Sequence, residues 1–343
     1  MLSVAVTGSA GALGRRVVND LVNEPSVVRV VAIDRRPQEL SSEKVESVRI
    51  ELFKGGDPAE LTEALMGCDT VVHAASEEGR VSHHQVAGSL LGRVLDAATD
   101  AGVGHVVMIS SAMVYGAFDD NPVPLAEDAP VRSDGTLAFV AAKLEMEQLA
   151  TTWASTGRRA AILRPTTTLA ESGTSWIGRT LRMATTIRPD RVDPPVQFLH
   201  YSDLSSAVVT VVTKQGSGIF NVAPDGFIGS EGFHQLVGGL QLRVPGDLSD
   251  FLLRSGRRLG IRPTPEGIEP YVRSPWVVAN DKLRSLGWRA EATNEEAFVL
   301  GTPPPPWVIP PRRRQEVVLG LTAIAGMGAV ALIAALSRRL LRR

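Results

Sequence analysis

Leu2 to Glu24 reads LSVAVTGSAGALGRRVVNDLVNE, and the fold of the chain turns on how this stretch is parsed. A short apolar run, LSVAVT, predicts a buried strand. It runs into glycines at positions 8, 11 and 14, and then into RRVVNDLVNE, whose apolar residues recur at helical spacing. Strand, glycine turn and helix open a nucleotide-binding βαβ unit. In such a turn Gly8 permits the tight bend, Gly11 lets the backbone approach a pyrophosphate, and Gly14 lets the helix pack on the strand.

The next strand, Val27 to Ile33 (VVRVVAI), ends at Asp34, twenty residues after Gly14. An acid at that place accepts hydrogen bonds from the adenosine ribose hydroxyls and repels a 2′-phosphate, which favours NAD(H). Arg35 and Arg36 follow it and would admit NADP(H) if turned inward. Further strands are predicted at Val48 to Leu52, Thr70 to Ala74, His105 to Ser110 and Ala160 to Leu163. Helical stretches lie between them, near Ala59 to Met66, Val81 to Ala101 and Leu137 to Ser155. This alternation predicts an α/β fold, a Rossmann-type doubly wound parallel sheet. The expected division is a dinucleotide-binding domain over 1–165, completed by a strand and helix at about 196–213. A smaller substrate lobe would take 166–195 and 214–300.

The 343 residues carry 36 Lys and Arg against 37 Asp and Glu, so no global field draws in nucleic acid. One cysteine, Cys68, forms no internal disulfide and fits a reducing compartment. The N-terminal apolar run is too short for a signal peptide. Residues 301–315 are a proline-rich linker, TPPPPWVIPP at its heart, and 316–337 are a transmembrane helix candidate. Val317 to Leu336 has no charge over twenty residues, about 30 Å of helix. Arginines flank both sides and leave the orientation open. The expectation is a cytoplasmic body anchored to the cell membrane by one C-terminal helix.

Six stretches in order, TGSAGALG, DTVVHAAS, VVMISSAMVYG, AILRPTTTL, VQFLHYSDLSSAV and NDKLRSLGW, make residues 2–290 resemble the extended short-chain dehydrogenase/reductase family of the NAD-dependent epimerase/dehydratase type. The resemblance implies NAD bound by Gly8, Gly11, Ala12, Leu13, Gly14, Asp34, Arg35, His73, Ala74, Lys143 and Pro165. It implies a Ser that orients the substrate, a Tyr that moves the proton, and a Lys four residues later that lowers the Tyr pKa and holds the nicotinamide ribose. The matching positions are Ser111, Phe139 and Lys143. A phenylalanine has no proton to give, and Tyr115 is the nearest tyrosine by motif.

Other departures concern ligands. The family's adenine-contacting Asp falls at Lys54, with Asp57 three residues on, and its phosphate-binding Arg falls at Val196. Arg179, Arg182, Arg188 and Arg191 could supply cations instead. His83 and His84 lack partner ligands at metal spacing, so no metal is expected. Asp203, after His200, is expected to cap the following helix. The expected partners are a small-molecule substrate and the membrane, with a homodimer left open. Two functions stay open: a membrane-anchored NAD(P)-dependent oxidoreductase or epimerase acting on an alcohol or ketone, apolar or lipid-linked, and a non-catalytic NAD(P)-binding sensor or scaffold.

Overall fold

The structure, a computed structural model, describes residues 1–36, 42–53, 57–75, 84–133, 135–169, 187–189, 193–237, 242–244 and 265–301. The linker beyond Gly301 and the transmembrane candidate lie outside the described residues. Among those described, no helix is long and apolar enough to cross a membrane.

The first half alternates as its hydrophobic pattern requires. β1 (Leu2–Thr7) leads to α1 (Ala12–Asn23), then β2 (Val27–Asp34), β3 (Val45–Arg49), α2 (Pro58–Leu65), β4 (Thr70–His73), α3 (His84–Asp100) and β5 (His105–Ile109). A single 3₁₀ turn (Ala112–Tyr115) precedes α4 (Ala138–Ala154) and β6 (Arg159–Pro165). The second half adds β7 (Thr167–Leu169), β8 (Ile187–Pro189), β9 (Phe198–His200), α5 (Tyr201–Thr213), β10 (Gly218–Val222), α6 (Ser230–Val237), β11 (Leu242–Val244), α7 (Glu269–Arg273), α8 (Asp281–Ser285) and α9 (Asn294–Leu300). Seven of the described strands form one sheet in the order β10-β6-β5-β4-β1-β2-β3. Every pairing in it is parallel.

A period of two along the strands sorts the core into two layers. Ala5, Val31, Ile33, Val71, Val106 and Ile162 face α2, α3 and α4. Val4, Val6, Val30, Val72, Val107 and Leu163 face α1 and α5, where Val17, Leu21, Leu204 and Val208 meet them. Cys68 is free and buried in the first layer. Burial pushes its thiol up, despite Arg29 nearby.

Several details depart from the sequence reading. The third strand sits three residues earlier than Val48 to Leu52. The strand within Val196 to Val212 does not join the main sheet: β9 pairs with β7 in a separate two-stranded sheet. The seventh strand is β10, a five-residue edge segment opened by a glycine, too short to announce itself by alternation. Residues 218–222 therefore belong to the main sheet and not to a separate lobe, and residues 1–301 form one unit by their contacts. Asp203 does not cap its own helix. The His200 side chain accepts from Ser202 N at the N-cap of α5, while Asp203 accepts from the backbone of Glu291 (2.9 Å) and Ala292 (3.2 Å). Asp57 caps α2 by accepting from Ala59 N at 2.9 Å.

Candidate functional site

The strand order reverses between β1 and β4, and the loops after β1, β2 and β4 meet at their carboxyl ends. In open α/β sheets such a switch point forms a ligand crevice. Gly8 has φ +75, and a Cβ there would lie 2.4 Å from Ala75 Cα. At Gly14 it would lie 2.1 Å from the Gly8 carbonyl oxygen. Only glycine fits either position, so the turn and α1 press directly on β1 and the end of β4. Gly11 is the N-cap of α1 and offers no side-chain cap. Ala12, Leu13 and Gly14 thus begin a helix whose first N–H groups suit an anion. The buried Ser9 hydroxyl has no hydrogen-bond partner among the described residues.

Asp34 stands beside this turn, accepting from Ala10 N (3.2 Å) and Arg36 N (3.0 Å), with free lone pairs left on both oxygens for hydroxyl groups. Arg35 is exposed. Arg36 is exposed as well, but its guanidinium donates to Ala10 O at 3.1 Å, alongside Arg15 at 3.0 Å, and lies 3.9 Å from the Asp34 carboxylate. The cradle, the open helix end, the carboxylate and the orphaned hydroxyl all fit a dinucleotide with its pyrophosphate over Gly11 and its ribose at Asp34.

At the end of β4, the His73 Nδ1 pairs with the Thr7 hydroxyl at 2.9 Å, and Ala74 N donates to Thr7 O. Burial, then the nearby Lys143 ammonium, lowers the His73 imidazole to about 3. It is neutral at working pH and ties β4 to β1. Lys143 projects from α4 and donates to Ile109 O at 2.8 Å, where β5 ends. Its ammonium stands 5.6 Å from the Phe139 ring centroid, one helical turn back. Ser111 caps the 3₁₀ turn, its oxygen accepting from Met113 N at 3.2 Å. The hydroxyl hydrogen has no acceptor among the described residues and is available to a substrate oxygen. Pro165 is buried at the end of β6, paired with Val222.

Tyr115 faces elsewhere. It is fully buried, its hydroxyl donates to Asn221 Oδ1 at 2.8 Å, and the Arg164 guanidinium lies 4.6 Å from its ring centroid. Burial pushes the phenol up, against the opposing Arg164 charge. In this structure the Tyr115 hydroxyl is thus engaged within the core. Arg164 itself makes two bonds to Glu147 (2.9 and 2.6 Å), and the Ser110 hydroxyl donates to the same carboxylate. Sequence reasoning missed this cluster, although Phe139, Lys143 and Glu147 share one face of α4 at i, i+4 spacing. It also missed Ser9, which its place inside the glycine loop could have flagged. Lys54, His83, Arg179, Arg182 and Arg191 lie outside the described residues.

Fold and site together define a dinucleotide-binding protein of the short-chain dehydrogenase type. A family model for the NAD dependent epimerase/dehydratase family matches residues 4–223, and the chain belongs to that family. Among solved structures, MoeE5 in complex with UDP-glucose and NAD is 24% identical, with a TM-score of 0.63 over 87% of this chain and 97% of that one. The UDP-glucose 4-epimerase of Thermus thermophilus in complex with NAD is 19% identical, with a TM-score of 0.64 over 88% and 97%. Among curated proteins, Quinone oxidoreductase 2 of Escherichia coli (strain K12) is 28% identical over 127 residues, 36% of this chain. The match spans 41% of that relative's length.

Proposed function

We propose that the chain is an NAD-dependent oxidoreductase that acts on an apolar ketone or alcohol and is held at the membrane, its body on the cytoplasmic side, by its C-terminal segment. The observation that carries this reading is the convergence of the glycine cradle, Ser111 and Lys143 on one sheet edge, with Phe139 where the proton donor is expected. Bound NAD supplies hydride chemistry. The chain's own residues hold it and set its substrate: the α1 end receives the pyrophosphate, Asp34 the adenosine ribose, and Lys143 the second ribose once it exchanges its bond to Ile109 O. Ser111 donates to the substrate oxygen. No acid from α4 stands beside that oxygen, which favours a carbonyl whose reduced form is a phenol. A developing phenolate, conjugate to a pKa of about 10, is far less basic than an aliphatic alkoxide and so needs no acid beside it as the hydride arrives. A quinone, the substrate class in the name of the Escherichia coli relative, is such a carbonyl, and an apolar one suits a membrane-held body.

The test measures NADH oxidation with menadione and with a panel of aliphatic ketones, in wild type and Ser111→Ala. The expected result is turnover of menadione, little turnover of the ketones, and a loss of at least tenfold in Ser111→Ala. Phe139 also favours a second reading, a cofactor sensor or scaffold. Calorimetric NAD(H) binding with no turnover of any carbonyl would leave that reading in place.

A further inference from the structure

Beyond the carboxyl end of β6 lies a cavity of about 50 Å³, walled by Val196, Phe198, Phe233, Trp276 and Val277, with Thr166 and Tyr271 toward the sheet. We propose that it is a substrate subsite that receives an uncharged, branched apolar group and rejects nucleoside diphosphates. This proposal rests on the oxidoreductase reading above and gives it a substrate class.

Three observations carry it. The first is charge. Among the described residues the only charged side chain lining the cavity is an acid, Asp193, held 2.9 Å from His234 Nε2. The position where the family's phosphate-binding Arg would fall is Val196. A carboxylate and a hydrophobe in that place oppose a diphosphate and leave a neutral group unhindered.

The second is that several of the wall's polar groups are already engaged. Gln197 Nε2 donates to Gly226 O (2.8 Å) and Val278 O (3.0 Å), and its Oε1 accepts from Val278 N (2.8 Å). Thr166 donates to Gln197 O, and Trp276 Nε1 donates to Tyr271 O. The lining is mostly apolar. A volume of about 50 Å³ holds roughly four water-sized groups at about 10–15 Å³ each. That suits a small branched alkyl end such as isobutyl.

The third is connection to the reacting edge. The Tyr271 hydroxyl donates to Met113 O at 2.8 Å, and Met113 N donates to Ser111 Oγ. Phe139 packs against the same apolar cluster as Tyr271 and Trp276. The wall that bounds the cavity therefore runs on, through Tyr271, to the turn that presents Ser111 and to the ring that replaced the phenol. A substrate held by its carbonyl at Ser111 can lay an apolar branch along this surface.

Saturation-transfer NMR on the full chain, with 4-methyl-2-pentanone and with UDP as separate probes, tests the subsite without requiring turnover. The ketone is expected to bind saturably, and UDP not to compete with it. Val196→Phe, which fills the cavity, should weaken the ketone at least tenfold while NAD(H) affinity and the melting temperature hold. Phe233→Leu, which trims a wall, should instead strengthen binding of a bulkier ketone, 2,6-dimethyl-4-heptanone. UDP displacing the ketone would overturn the proposal, as would ketone affinity unchanged by Val196→Phe in a chain that melts normally. Loss of turnover with the binding pattern intact would sink the oxidoreductase reading and leave the subsite standing.

Discussion

One oxygen atom at position 139 separates this site from the pattern its family motif implies. Phe139 and Lys143 lie one turn apart on α4, with the ammonium already near the ring. Phe139→Tyr would place a phenol beside a cation that lowers its pKa. General acid–base help is worth about 10²–10⁴ in rate. The expected outcome is a gain of that order in NADH-dependent turnover of aliphatic ketones, abolished by adding Lys143→Ala. A wild type slowed by Phe139→Tyr on every substrate would show that the ring itself serves the reaction. The glycines separate folding from binding. Gly14→Ala drives a Cβ to 2.1 Å from a backbone oxygen and should destabilise the fold outright. Gly11 has φ −70 and ψ 168, which any residue adopts, and a Cβ there meets only the Gly8 oxygen, at 3.1 Å. Gly11→Val should melt within a few degrees of wild type yet lose NAD(H) binding in calorimetry. A Gly11→Val chain that binds normally would refute the pyrophosphate placement.

Helix α4 shows what is legible at the scale of an element and what is not. Its existence followed from the alternation of strands and helices, and its site residues from the family resemblance. What orients it did not, because Glu147 finds Ser110 and Arg164 only after β5 and β6 are aligned beside it. Glu147→Ala would strand Arg164, which is only 2% exposed, without its counter-charge, a loss of about 3–5 kcal/mol. Glu147→Leu combined with Arg164→Met should recover much of that loss in urea denaturation. If it does not, the pair's value lies in its geometry. The sheet was similarly readable where strands are long and apolar: β1, β2, β4, β5 and β6 fall within about two residues of their expected bounds. The failures were short strands. β9 and β10 are three and five residues long, and tertiary pairing rather than local pattern assigns them to different sheets. The glycine cradle was legible because steric need forces one residue type. The burial of Tyr115 against Asn221 was not legible, because a motif position says nothing about which way a hydroxyl points.

The molecule as a whole responds to acid through two buried imidazoles. His105 bonds Thr70 and Gly216 O, and burial lowers it from 6.5 to about 4. His73 falls further, to about 3. Both are lower folded than unfolded, so the unfolded chain takes up the proton first. Their stabilisation is complete above pH 6.5. It is lost as pH falls through the window from 6.5 to about 4 for His105, and on toward 3 for His73, by something on the order of 3 kcal/mol for the first and 5 kcal/mol for the second. Urea midpoints measured across this window should slope downward, and His105→Gln should flatten the upper part. A flat profile in wild type would mean that the imidazoles are solvated. Asp203 reaches forward to the backbone at 291 and 292, while its neighbour Ser205 donates back to Asp20 at 2.6 Å. During synthesis the α1 face of the sheet must therefore wait, uncovered, for nearly two hundred residues to leave the ribosome before α5 closes it, and α5 in turn waits for the chain near 290. A nascent chain paused at residue 165 would present Val17, Val18 and Leu21 to whatever holdase is nearby, and chaperone demand should end abruptly once residue 292 has emerged.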